Sequence, residues 1–240
     1  MGNLLVLWDI DYTLINAGGS SVHIYGVVFR DLFGHELPGV APMAGRTDRA
    51  IVLDTLARAG VSDPGQHVAA FLAGLDAQGP GFRAIVAERG HALPGAAAAL
   101  AAVAEARLAG PGPARAVQSV LTGNVRPLAE AKLGALGLTT HLDLDIGAYG
   151  DHHEHRAELV HLARRNAARA YGQDFAGKAT VVIGDTPLDV AAARETGARS
   201  VGVATGASAA ELAAAGADVV LADLTETAAV LTAILGRTQP

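Results

Sequence analysis

The sequence predicts an α/β protein in which helices cover both faces of a parallel sheet, with a helical insertion after the first strand. Three observations predict it. The run Leu4-Leu5-Val6-Leu7-Trp8 is apolar without interruption, as a strand buried on both faces of a parallel sheet must be. From Leu93 onward helical and strand patterns alternate, the arrangement that gives parallel strands joined by crossover helices. Between residues 16 and 91 strand patterns are weak and helical ones take over.

Within the insertion, Asp48 is placed to cap a helix whose stripe is Ile51, Val52, Thr55, Leu56 and Ala59, and Gly60 to end it. The alanine-rich stretch from Pro94 to Ala109 reads as a helix to about Leu108, because alanine has the strongest helix propensity. The chain then predicts strand Val117 to Leu121, a helix to about Leu136, strand Leu142 to Ile146 and helix Glu154 to Ala170. Strand Ala179 to Ile183, helix Leu188 to Thr196, strand Ser200 to Val203 and helix Ala209 to Ala215 follow, then strand Asp218 to Leu221 and helix Glu226 to Leu235. Gly197 and Gly216 stand where helices must stop, and Ser208 with Glu211 forms a capping-box pattern.

At 240 residues and 50% hydrophobic content the chain can bury a sizeable core. A net charge of −6 gives no basic surface, so neither nucleic acid nor an anionic membrane is expected as a partner. The absence of cysteine excludes disulfides and thiol catalysis. No basic leader pattern follows Met1 and no run of eighteen apolar residues occurs, so a cytoplasmic location is expected.

Two acidic clusters carry the chemistry. Asp9 and Asp11 follow the first apolar run, and Asp185 and Asp189 follow the run Thr180 to Ile183. Ligands of parallel sheets bind beyond the carboxyl ends of the strands. Carboxylates gathered there about 4 Å apart repel by roughly 4 kcal/mol per pair at an effective dielectric near 20, so they need a cation or protons. The donors are all oxygens, which favours a hard ion such as Mg²⁺ over zinc or copper.

Asp9-Ile10-Asp11-Tyr12-Thr13-Leu14, Thr122-Gly123-Asn124, Arg156, and Gly184-Asp185-Thr186-Pro187-Leu188-Asp189 together resemble the four signature motifs of the haloacid dehalogenase-like superfamily of phosphohydrolases. The likeness is to its phosphoglycolate-phosphatase-like group. It covers residues 1–15 and 92–240, and the insertion more loosely. It implies a Rossmann-like three-layer core formed by 1–15 and 92–240, with residues 16–91 as a small α-helical cap. Far more chain separates Asp11 from Pro94 than Thr122 from Arg156, so the insertion follows the first strand.

The resemblance implies a Mg²⁺-dependent phosphatase of small phosphomonoesters that works through an aspartyl-phosphate. Asp9 would be the nucleophile and Asp11 the general acid and base. Mg²⁺ would be held by the Asp9 carboxylate, the Asp11 carbonyl and Asp185, with Asp189 orienting that shell. Thr13 belongs to the first motif as a substrate-side residue, and Thr122, Gly123 and Asn124 would hold phosphate oxygens. Arg156 would replace the lysine usual in the third motif, since a guanidinium also grips phosphate. Arg46, in Gly45-Arg46-Thr47-Asp48, would reach the leaving group or its acid. The expected partner is a small phosphorylated metabolite, the expected assembly a monomer or homodimer.

Other readings stand beside these. Lys132 rivals Arg156, but a lone helix lysine reads first as a surface or helix–helix contact. Lys178 reads as a strand start. His152, His153 and His155 lack the distant partner that would complete a zinc site, and read as an exposed helix start. A phosphomutase of the β-phosphoglucomutase type would use the same core. A dehalogenase needs neither the second aspartate nor a metal, which Asp11 and Asp185 argue against. A binding protein or a receiver-like regulator is disfavoured by the intact motifs and by chain length.

Overall fold

The computed structural model describes residues 3–106 and 115–236. Five strands form one parallel sheet: β1 (Leu4–Trp8), β4 (Ala116–Val120), β5 (Thr180–Gly184), β6 (Arg199–Val203) and β7 (Val219–Leu221), in the order β4-β1-β5-β6-β7. The apolar run of β1 therefore occupies an interior position between β4 and β5. Its side chains alternate between two cores. Leu4, Val6 and Trp8 join one, with residues of α4 (Ala96–Glu105), α5 (Arg126–Ala135) and α9 (Thr227–Leu235). Leu5 and Leu7 join the other, with α6 (Arg156–Tyr171) and α7 (Pro187–Glu195). Burial on both faces is what an unbroken apolar strand requires.

The remaining helices are α1 (Ser20–Phe33), α2 (Asp48–Arg58), α3 (Pro64–Arg89) and α8 (Ala209–Ala215). The chain leaves the sheet through β2 (Ile15–Asn16) and returns through β3 (His91–Ala92), which pair antiparallel. Helices α1 to α3 enclose a third apolar cluster that includes Ile24, Phe29, Val52, Phe71 and Phe82, and it reaches α5 through Leu128 and Ala131. Among the described residues no helix is long and apolar enough to cross a membrane.

Most expected elements form within one or two residues of their expected ends, and the Ser208–Glu211 capping box is present. Two expectations change. Leu142 to Ile146 is no strand: the segment runs through turns, and only an isolated bridge joins Leu121 to Ala148. Its apolar side chains Leu142 and Leu144 pack on the core without a ladder. Asp48 does not cap α2, because Thr47 does, accepting from the Ala50 amide. The last residues of the helix expected to run to Leu108, and the end of the Pro94–Ala109 stretch, lie outside the described residues.

Candidate active site

The site lies at the carboxyl edge of β1, β4 and β5. β1 ends at Trp8 and the backbone folds at once: the Ile10 carbonyl accepts from the Leu14 amide at 2.9 Å and the Ile15 amide at 3.0 Å. Tyr12 takes the left-handed conformation, φ 56°, to make this bend. Had the strand continued, Asp9 and Asp11 would share one side. The bend gives them different partners, Arg156 for Asp9 and Lys132 for Asp11.

On one wall, Asp9 is buried and its Oδ1 lies 2.7 Å from Arg156 Nη2. The same nitrogen lies 2.6 Å from Asp189 Oδ1 and donates to the Leu121 carbonyl at 3.0 Å. Carboxylate oxygens of Asp9, Asp185 and Asp189 all lie within 4.8 Å of one another. Burial pushes the Asp9 and Asp185 carboxyls well above the usual range; the charges of Asp189 and Asp11 push Asp9 further up, those of Asp9 and Asp189 do the same to Asp185, and the Arg156 charge works the other way. Burial works against the Arg156 charge too, but Asp189 and Asp9 more than offset it. Asp189 is fixed by a capping box: its Oδ2 accepts from the Thr186 amide at 3.1 Å and the Thr186 hydroxyl at 2.6 Å. The Thr13 hydroxyl donates to Asp185 Oδ1 at 3.4 Å.

On the other wall stands Lys132, only 1% exposed. Its Nζ donates to Asp11 Oδ1 at 2.8 Å, Asp11 Oδ2 at 2.7 Å and Asn124 Oδ1 at 2.6 Å. Asn124 Nδ2 donates in turn to Asp11 Oδ2 at 2.8 Å and Thr122 Oγ1 at 2.7 Å. This corrects the expectation that Lys132 is a solvated or merely structural helix lysine. The signal was legible: Val125, Leu128, Ala129, Lys132 and Leu136 share one face of α5 at helical spacing, and Val125, Leu128 and Ala129 are buried. Phe82 of α3 lies below the ammonium, 5.9 Å from it.

The remaining residues divide. Gly123 has no room for a side chain, since a Cβ would overlap the Arg46 carbonyl. Asn124 spends its amide on Thr122 Oγ1 at 3.2 Å. Arg46 lines the same cavity, but its guanidinium is engaged by Asp54 at 2.9 Å and by the carbonyls of Pro42 and Ala50 at 3.0 and 3.1 Å. Asp48 is buried and accepts from the Tyr25 hydroxyl at 2.7 Å and the Val125 amide at 2.8 Å, tying α1 and α2 to α5. His152, His153 and His155 are exposed ahead of α6, and Lys178 is exposed ahead of β5.

The donor set suits a divalent cation. Three buried carboxylates face a single guanidinium, and Asp189 Oδ1, although close to it, accepts no aligned hydrogen bond. Arg156 Nε is likewise buried without an acceptor. Such orphaned groups are rare unless a ligand completes them. Hard oxygen donors match Mg²⁺ or a similar ion.

Residues 6–194 match the family described as haloacid dehalogenase-like hydrolase. No curated protein matches the sequence. Among solved structures the chain resembles CbbY from Rhodobacter sphaeroides in complex with xylulose-1,5-bisphosphate, with 19% identity, TM-score 0.64, and 93% of this chain and 96% of that one covered. It also resembles a predicted phosphatase from Clostridium acetobutylicum, with 18% identity, TM-score 0.61, and coverage of 92% and 94%. A hydrolase from Pseudomonas syringae matches at 20% identity and TM-score 0.61, covering 93% and 95%. At these identities the likeness is one of fold, whereas the family match spans most of the chain: the protein belongs to the haloacid dehalogenase-like hydrolase family.

Proposed function

We propose that the chain is a Mg²⁺-dependent phosphatase that hydrolyses a small phosphomonoester through an aspartyl-phosphate on Asp9. The observation that carries this reading is the buried Asp9 carboxylate, at the end of an interior strand, touching Arg156 and grouped with Asp185 and Asp189. Asp9 and Asp185 would hold the cation, with Asp189 positioning Arg156 beside them. Bound there, the cation would neutralise charge on the phosphoryl oxygens.

Asp9 attacks phosphorus, the bond to the ester oxygen breaks, and the departing alkoxide takes a proton from the Asp11 carboxyl. In the second half Asp11 removes a proton from water, the oxygen attacks phosphorus, and the bond to Asp9 breaks. Arg156, with its unpaired Nε, binds equatorial phosphoryl oxygens, as do Thr122 and the Gly123 amide. Lys132 and Asn124 orient Asp11. Residues 1–15 and 92–240 would form the catalytic core, with 16–91 as a cap that excludes water when closed.

Phosphate release from a panel of small phosphomonoesters, with Mg²⁺ and with chelator, tests the reading. Turnover that requires Mg²⁺ and disappears in Asp9→Asn supports it. No release from any ester, or release that survives the substitution, refutes it.

A further inference from the structure

The cavity above the acidic cluster has a volume of about 350 Å³, toward the small end of ligand cavities. Asp9, Asp185 and Arg156 form its phosphate end. The remaining wall comes from β2 and the residue after it, the start of α1, and the segment leading into α2 with the first turn of that helix. It presents Ala17, Val22, Met43 and Ile51, with Asn16 and Ser21 as neutral polar groups.

The cations of the cavity are already engaged: Asp54 is shared by Arg46 and Arg58. Among the described residues lining the cavity the cations are Arg156 and Arg46. Arg156 is committed to Asp9 and Asp189 at the phosphate end. The Arg46 guanidinium is held by Asp54 and two backbone carbonyls. Asp48 adds a buried carboxyl whose hydrogen bonds go to Tyr25 and Val125, so it offers an anion nothing but repulsion when ionised. By contrast, Asn16 Oδ1 accepts from the Gly18 amide, and neither Asn16 Nδ2 nor the Ser21 hydroxyl has a hydrogen-bond partner among the described residues.

We infer that the leaving-group half of this cavity is built for an uncharged short alcohol. Its carbons would lie on the apolar wall and its hydroxyls would meet Asn16 and Ser21. Phosphomonoesters whose organic part carries a second anion, whether carboxylate or phosphate, are selected against. The inference rests on the phosphatase reading. An anion brought here loses its hydration, gains no free cation and faces like charge, so discrimination comes from repulsion as much as from fit. The same wall gives a bisphosphate no purchase for its distal phosphate, which a phosphomutase cycle would need.

Size-matched pairs test this: hydroxyethyl phosphate against phosphoglycolate, and glycerol phosphate against phosphoglycerate, each with Mg²⁺. The neutral member should be favoured in kcat/KM by roughly 30-fold, the range that a few kcal/mol of like-charge juxtaposition produces. Ser21→Arg, which places a cation on the wall, should shift that ratio toward the anionic member by about tenfold or more. Equal or reversed preference in the wild type, or a ratio that Ser21→Arg leaves in place, overturns the inference while leaving the phosphatase reading intact. Release from no member of either pair overturns both.

Discussion

The two walls of the site solve the same problem with different cations. On the Asp9 wall the charge is a guanidinium, one nitrogen of which touches Asp9, Asp189 and the Leu121 carbonyl, while its Nε is left without an acceptor. On the Asp11 wall it is an ammonium whose three short contacts, to both Asp11 oxygens and Asn124, use all its donors. One wall is saturated and the other is not. A saturated network fixes a side chain, whereas an unsaturated one leaves capacity for a ligand. The difference supports the proposal that Lys132 orients Asp11 while Arg156 binds the phosphoryl group.

The sharpest break in this comparison is Asp9→Asn. It removes the attacking oxygen, and kcat should fall about 10⁴-fold or more in a phosphate-release assay. Its thermal midpoint should not drop, because a neutral amide relieves a buried charge cluster. Next is Arg156→Ala, expected to lower kcat/KM by roughly 10²–10³-fold, the usual effect of deleting one donor to a transition-state oxygen. Arg156→Lys should recover only part, because a point charge cannot span the planar fork's contacts.

Asp48 tests the Lys132 side through stability. Burial raises its folded-state carboxyl from 3.8 to about 6. A raised acid favours the folded state fully below the unfolded value, and that contribution is lost as pH rises through the folded one. Wild-type unfolding free energy should therefore decline from about pH 4 to about pH 6 relative to Asp48→Asn, by up to roughly 3 kcal/mol. Urea titrations of the two proteins across this window measure the difference. The smallest effect is the coupling of Lys132 to Asp11. Lys132→Met strands a carboxylate, and the same substitution in an Asp11→Asn background should cost about 1–3 kcal/mol less. A zero coupling energy in that cycle would remove the orienting role of Lys132.

The two central strands β1 and β5 were readable because they are buried along their whole length and apolar almost without a break. The acids at the ends of β1 and β5 converge because those strands are hydrogen-bonded neighbours. Leu142 to Ile146 failed for a related reason: apolar side chains alone do not distinguish a ladder from turns packed on a core. Lys132 was misread because a residue-type prior, that lysines are solvated, was set above the helical phase that puts it on the buried face of α5. The separation of Asp9 from Asp11 was out of reach of sequence spacing, since it depends on a bend closed by hydrogen bonds to the Ile10 carbonyl. The engagement of Arg46 by Asp54 is an i,i+8 contact spanning the start of α2, and no local pattern distinguishes it from an arginine facing the cavity.

Covalent catalysis at Asp9 is the central claim. Mixing the enzyme with Mg²⁺ and a reactive aryl phosphate, quenching in acid within the first turnover, and mapping the protein by mass spectrometry tests it most directly. A phosphoryl adduct on the peptide holding Asp9, absent from Asp9→Asn, is the expected result. Steady turnover with no adduct at any quench time, together with an active Asp9→Asn enzyme, would contradict it.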